Sequence, residues 1–152
     1  MPQSISSSYI DREVIILTQD GIWLADGDEI THEPTRKLFA KSLKHDAEGY
    51  FLAIGRETKR IEVEDTAYFV ERMDEHPEDL RLSISDESVE MLDPKTLNYR
   101  LGRLTAKIKN GQEEAKFLRA PYYELLKKAH EEAGAYYLVI NGKKTFLGGI
   151  FD

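Results

Sequence analysis

One pattern of elements occurs twice in this chain, near residues 14–63 and again near 103–149, and it limits the possible folds more than any other feature. Each copy reads as a turn-centred hairpin, a helix opened by proline, and a tyrosine-bearing strand. Aligning Pro34 with Pro121 (121 − 34 = 87) places Leu38-Phe39 on Leu125-Leu126 and Ile30 on Phe117. A spacing of 86 places Gly49-Tyr50-Phe51-Leu52-Ala53-Ile54 on Ala135-Tyr136-Tyr137-Leu138-Val139-Ile140. Upstream, Asp20-Gly21 and Asn110-Gly111 are both two-residue hairpin signals, offset by 90. Such self-similarity predicts one supersecondary unit used twice.

The expected class is α+β, with two similar units of antiparallel sheet and one helix each. Residues 1–12 read as a flexible lead, since Ser4, Ser6, Ser7 and Ser8 crowd it. Residues 13–65 form the first unit and 66–152 the second. Units of roughly 60–85 residues bury only about 60% of their unfolded surface. The chain has no cysteine to staple them, so the two are expected to share an interface that completes both cores.

Local patterns place the elements. Val14 to Thr18 and Ile22-Trp23-Leu24 read as strands around Asp20-Gly21, with a second turn at Asp26-Gly27-Asp28. A helix begins near Pro34, carries Leu38, Phe39 and Leu43 on its apolar side, and is expected to run to Gly49. Lys44 and His45 would then sit at the negative end of its dipole. Tyr50 to Ile54, Arg60 to Glu64 and Ala67 to Val70 are strands. Leu80, Leu82 and Ile84 alternate with Arg81, Ser83 and Ser85, the signature of a half-buried strand. Leu104, Ala106 and Ile108 repeat that signature before Asn110-Gly111. The helix from Pro121 sets Tyr122, Leu125, Leu126 and Ala129 on one side, with Lys127, Lys128 and His130 near its end. A hairpin around Asn141-Gly142 closes the chain.

Charge and composition narrow the partners. With 21 basic against 28 acidic residues the net charge is −7, which opposes broad attraction to DNA, RNA or anionic membranes. Met1 to Ser8 lack the basic start and apolar run of a signal peptide. No apolar stretch approaches the ~18–20 residues of a membrane helix, so the cytoplasm is the expected location.

Chemistry is sparse. No G-x-S-x-G elbow and no thiol is present. Gly142-Lys143-Lys144-Thr145 lacks the first glycine of a phosphate loop and lies between strands, so it reads as a hairpin turn. His32, His45, His76 and His130 are too dispersed for an H-x-x-x-H metal pair. Glu62 and Glu64 share a strand face, more often a solvated side than a catalytic dyad. Neither a catalytic set, a metal site nor a cofactor is expected. Tyr122-Tyr123 and Tyr136-Tyr137 each place one ring toward the core and one outward, through packing or base stacking. Arg56 leaves a strand, and Arg119 lies just before a helix start, where free N–H groups favour anions. His32 is its counterpart under the repeat (119 − 32 = 87).

Asp20-Gly21-x-Trp23, Gly27-x-x-Ile30, Leu38-Phe39, Leu43, Gly49-Tyr50-Phe51-Leu52, Glu57 and Ile61-x-Val63-Glu64-Asp65 together resemble the first half of the bacterial domain-of-unknown-function family 1285. Glu114-Ala115, Arg119 and Tyr122-Tyr123-x-Leu125 resemble its second half, and the match spans about residues 13–147. The resemblance implies a duplicated α+β core whose second half is similar to a pleckstrin-homology barrel. It also implies a role in signal transduction, without catalysis, through a nucleotide-type ligand at the interface between the units. On that basis His32, Arg56, Glu57, Arg119 and Tyr123 are the expected ligand-binding residues. Ile54-Gly55-Arg56 replaces the family's usual Thr-Pro-Val, and His32 stands where arginine is usual, which points to a different ligand, or to none, if those positions touch it. The alternative is a pleckstrin-like adaptor that binds a protein partner through an exposed edge or helix face.

Overall fold

A computed structural model describes residues 14–77, 79–140 and 142–149, and divides the chain into two compact units between Ala67 and Tyr68. The serine-rich lead expected at 1–12 lies outside the described residues, as does Asn141. The fold is α+β.

In the first unit, β1 (Ile15–Leu17) turns its Ile15 and Leu17 inward and pairs antiparallel with β2 (Trp23–Ala25), Leu17 opposite Trp23. β3 (Asp28–Glu29) follows across Asp26-Gly27 and pairs with β2. After α1 (Glu33–Lys41) comes a three-stranded meander of β4 (Leu43–Asp46), β5 (Gly49–Ile54) and β6 (Glu57–Arg60). β7 (Glu62–Val63) then lies parallel to β1, giving the sheet order β3-β2-β1-β7. Ile15, Leu17, Trp23, Ile30, Phe39, Leu43 and Leu52 form the core. Trp23 meets Phe39 edge-on at 5.4 Å, the geometry the ring quadrupoles favour.

The second unit begins with β8 (Tyr68–Glu75), β9 (Leu80–Ile84) and β10 (Val89–Met91). A 3-10 turn at Pro94–Thr96 leads to β11 (Asn98–Arg100), β12 (Arg103–Ile108) and β13 (Glu113–Phe117). These strands make one six-stranded sheet, β10-β9-β8-β13-β12-β11, with β8 and β13 parallel. α2 (Arg119–Leu126) crosses to a second meander of β14 (His130–Glu132), β15 (Ala135–Ile140) and β16 (Lys143–Gly149). The expected alternation holds in β9, where Leu80, Leu82 and Ile84 are buried; in β12 Leu104, Ala106 and Ile108 are buried as expected, but Thr105 between them is buried too.

A hairpin, a helix and a three-stranded meander thus follow one another in both units. The meanders share one register. Asp46 faces Gly49 as Glu132 faces Ala135, and Ile54 faces Glu57 as Ile140 faces Lys143. Each pair is offset by 86 (132 − 46 and 143 − 57), and Leu52 and Leu138 are the buried centres of the two copies.

Three local expectations are corrected. α1 ends at Lys41, not near Gly49, because the Ser42 hydroxyl donates back to the Leu38 carbonyl at 2.6 Å and the next residues pair as a strand. Lys44 and His45 therefore lie in β4 and not at a helix end, and His45 stacks on Tyr50 at 4.0 Å. α2 likewise ends at Leu126, and His130 lies in β14 stacked on Tyr137 at 5.3 Å. The Asp20-Gly21 and Asn110-Gly111 turns are longer than two residues. In the first, Thr18 Oγ1 accepts from the Asp20 and Ile22 N–H groups, and in the second Gly111 N–H reaches the Ile108 carbonyl.

Candidate functional site

α2 opens without a side-chain cap. Leu118 is extended (φ −71, ψ 171), and its carbonyl accepts the Tyr122 N–H at 2.9 Å to close the first turn. Pro121 and Leu125, one turn apart, are buried against the unit. The helical period then sets Arg119 and Tyr123 together on the opposite, solvent-facing side. Tyr123 is 54% exposed, a large aromatic surface left open. Arg119 is exposed, and among the described residues no hydrogen bond or ion pair holds its guanidinium.

Behind Tyr123 the rings continue inward. Tyr123 meets Tyr122 edge-on at 5.1 Å, Tyr122 meets Tyr99 of β11 at 6.3 Å, and Tyr99 meets Tyr136 of β15 at 6.2 Å. The Tyr122 and Tyr99 hydroxyls are 3.5 Å apart. Burial pushes the Tyr122 phenol up to about 12, and the Tyr99 hydroxyl adds to it, so the ring stays neutral as an acceptor and donor. Gly102, at φ +80, makes the β11–β12 turn beside the Tyr122 hydroxyl. Tyr122, Tyr99 and Tyr136 thus form a row of three rings behind the one outward-facing ring.

The other expected residues belong to the first unit. His32 is the N-cap of α1; its Nδ1 lies 2.7 Å from Thr35 Oγ1, and its carbonyl accepts from Thr35 and Arg36. Arg56 occupies the β5–β6 turn behind Gly55 (φ +61), exposed, and Glu57 opens β6 beside it. Arg119 and Tyr123 are thus one helical turn apart in the second unit, and Arg56 and Glu57 are chain neighbours in the first. His32 precedes its helix whereas Arg119 is the first residue of its own, so the two repeat-related positions differ by one step in cap geometry. Tyr99 and Tyr136 were not among the expected site residues. Tyr136 lay in a visible tyrosine pair, but nothing near Tyr99 signals its approach to α2.

Charged clusters elsewhere are internally matched. In the first meander Arg60 donates to both Asp46 oxygens, at 2.8 and 2.6 Å, and lies 4.9 Å over the Phe51 ring. The Arg60 hydrogen bond holds the Asp46 carboxyl down at about 2. In the second meander Lys144 pairs with Glu132 at 2.6 Å and lies 4.2 Å over Tyr137. Lys109 Nζ reaches Asp86 at 2.6 Å beneath the β9–β10 turn. Burial works to raise the Asp86 carboxyl, but the hydrogen bonds from Lys109 and Ser88 outweigh it and leave it lowered. Among the described residues no three His, Asp or Glu side chains gather as metal ligands, and no helix is long and apolar enough to cross a membrane.

The chain has the fold of DUF1285 family proteins, in keeping with the resemblance carried by its residues. A DUF1285 family protein from Silicibacter pomeroyi DSS-3 is similar over 93% of this chain and 83% of its own, with a TM-score of 0.63 and 17% identity. A second, from Shewanella baltica OS155, is similar over 75% of this chain and 91% of its own, with a TM-score of 0.60 and 24% identity. No protein-family model and no curated protein matches the sequence.

Proposed function

We propose that the protein is a non-enzymatic sensing module of bacterial signal transduction that binds a small, planar, anionic ligand of nucleotide type. One observation carries this reading: Arg119 and Tyr123 share the exposed side of α2, a cation without a partner among the described residues beside an aromatic ring that packs edge-on against Tyr122, with Tyr99 and Tyr136 behind it. A guanidinium forms bidentate bonds with phosphate or carboxylate, and a phenol ring stacks on a base. The charged first turn of α2 adds free N–H groups that favour the same anion. His32, Arg56 and Glu57 remain the contacts proposed from the first unit.

Thermal melting against a panel of nucleotides and anionic metabolites tests the reading, since a ligand selective for the native state raises the transition. A nucleotide that shifts the melting temperature is expected to lose about 1–3 kcal/mol of affinity in Arg119→Ala, measured by titration calorimetry. Unchanged affinity would remove Arg119 from the site.

A further inference from the structure

β10 is an outer strand of the six-stranded sheet, and its free side is chemically defined. Ile84 N–H donates to the Ser88 carbonyl at 2.8 Å and Leu92 N–H to the Leu80 carbonyl at 2.8 Å. In an antiparallel ladder alternate residues bond to the same neighbour, so Ser88, Glu90 and Leu92 face β9. Val89 and Met91 therefore aim their N–H and C=O groups away from the sheet, and among the described residues nothing takes them. Their side chains stand over Ser83 and Arg81, 62% and 64% exposed. Edge strands are ordinarily blunted by shortness, charge, proline or a bulge; this one is three residues long with Glu90 at its centre, yet Val89 and Met91 leave apolar side chains beside open backbone.

The segment that carries this edge is acidic, although Arg81 stands opposite Met91 on β9 and Lys109 pairs with Asp86. Residues 86–93 contain Asp86, Glu87, Glu90 and Asp93 and no lysine or arginine. Glu90 lies on the opposite face from Val89 and Met91, where its carboxylate accepts the Lys109 backbone N–H at 3.1 and 3.2 Å. The Lys109 ammonium goes to Asp86 instead, so Glu90 receives from Lys109 only the backbone N–H.

We propose that the β10 edge takes an extended basic–apolar segment of another protein as a further antiparallel strand. Apolar side chains of the guest would lie opposite Val89 and Met91, with a lysine or arginine between them opposite Glu90. A second copy of this chain would bring the same acidic segment, with Glu87, Glu90 and Asp93, against itself, and in the two-fold register that matches Val89 to Met91 it sets Glu90 against Glu90 at the close, non-hydrogen-bonded spacing of about 4.5 Å. The inference concerns a different surface from Arg119 and Tyr123 and is independent of the ligand reading.

The test is fluorescence anisotropy of a labelled nine-residue peptide of alternating valine and lysine, titrated with the full chain, beside a valine–glutamate control. Saturable binding of the lysine peptide alone is expected. Met91→Pro removes an outward N–H that β9 does not use, and proline is tolerated there. It should weaken binding by about tenfold or more, while Met91→Ala, which keeps the N–H, weakens it less. Glu90→Gln keeps an acceptor for Lys109 and should lower affinity by up to about fivefold. Circular dichroism melts establish that each variant is folded. Absence of binding, equal binding of both peptides, or wild-type binding by folded Met91→Pro would overturn the proposal. So would a dimer in sedimentation that Met91→Pro dissolves, which would assign the edge to a second copy.

Discussion

Asp46 shows how much chemistry one surface pair can hold. Its carboxyl is lowered to about 2 because Arg60 hydrogen-bonds both oxygens, so the folded state favours the charged form. The sign follows from linkage: a depressed acid contributes stability above its unfolded value and loses it as pH falls through the folded one. The Asp46 contribution should therefore be complete at neutrality and disappear between about pH 4 and pH 2. Carboxyl NMR titration should find Asp46 near 2, and Arg60→Ala should return it to the ordinary carboxylate range. Asp86 is a more enclosed case, its side chain only 14% exposed beside Lys109. Asp86→Ala leaves that part-buried ammonium without its carboxylate and should cost about 1–3 kcal/mol in urea denaturation. Little of this was legible in the sequence. The sequence placed Arg119 just before the helix that carries Tyr123, one residue short of its observed start, but Arg60 reaches Asp46, and Tyr99 reaches Tyr122, between elements whose pairing no local pattern states.

At the scale of elements, starts were readable and ends were not. Pro34 and Pro121 mark their helices because proline lacks an N–H that the first turn does not need. The end of α1 depends on the Ser42 hydroxyl and on competition from a strand. Leu43 has an apolar spacing that suits either outcome, and it is the pairing of Leu43 to Asp46 with Leu52 to Gly49 that decides. His45 and His130 consequently read as helix-end cations when they are cross-strand partners of tyrosines. The shared register of the meanders gives a matched test. Leu52→Ala and Leu138→Ala, both at fully buried centres, should each destabilise by about 2–5 kcal/mol. Chemical denaturation of the two variants measures it, and a cost below about 1 kcal/mol at either would deny that position its core role.

For the whole molecule, the two-part division falls between Ala67 and Tyr68. Fragments 14–67 (67 − 13 = 54 residues) and 68–152 (152 − 67 = 85) have no disulfides and are of marginal size, so they are expected to unfold without a sharp transition when separated. A cooperative, reversible melt of either would show that it needs nothing else. The α+β class was legible because alternation and turn chemistry are local. The parallel neighbours were not, since only the assembled sheet brings β8 beside β13 and β1 beside β7. That last pairing bears on how the protein is made. Ile16 lies against Glu62, so among the described residues the first strand of the first unit is matched by the unit's last one. On a ribosome, β1 and β2 emerge and can form their hairpin at once, but one flank of β1 stays open to water and to other nascent chains until β7 has left the exit tunnel. The time for which that flank is open is thus set by translation speed through residues 26–63, and slow codons there would lengthen it.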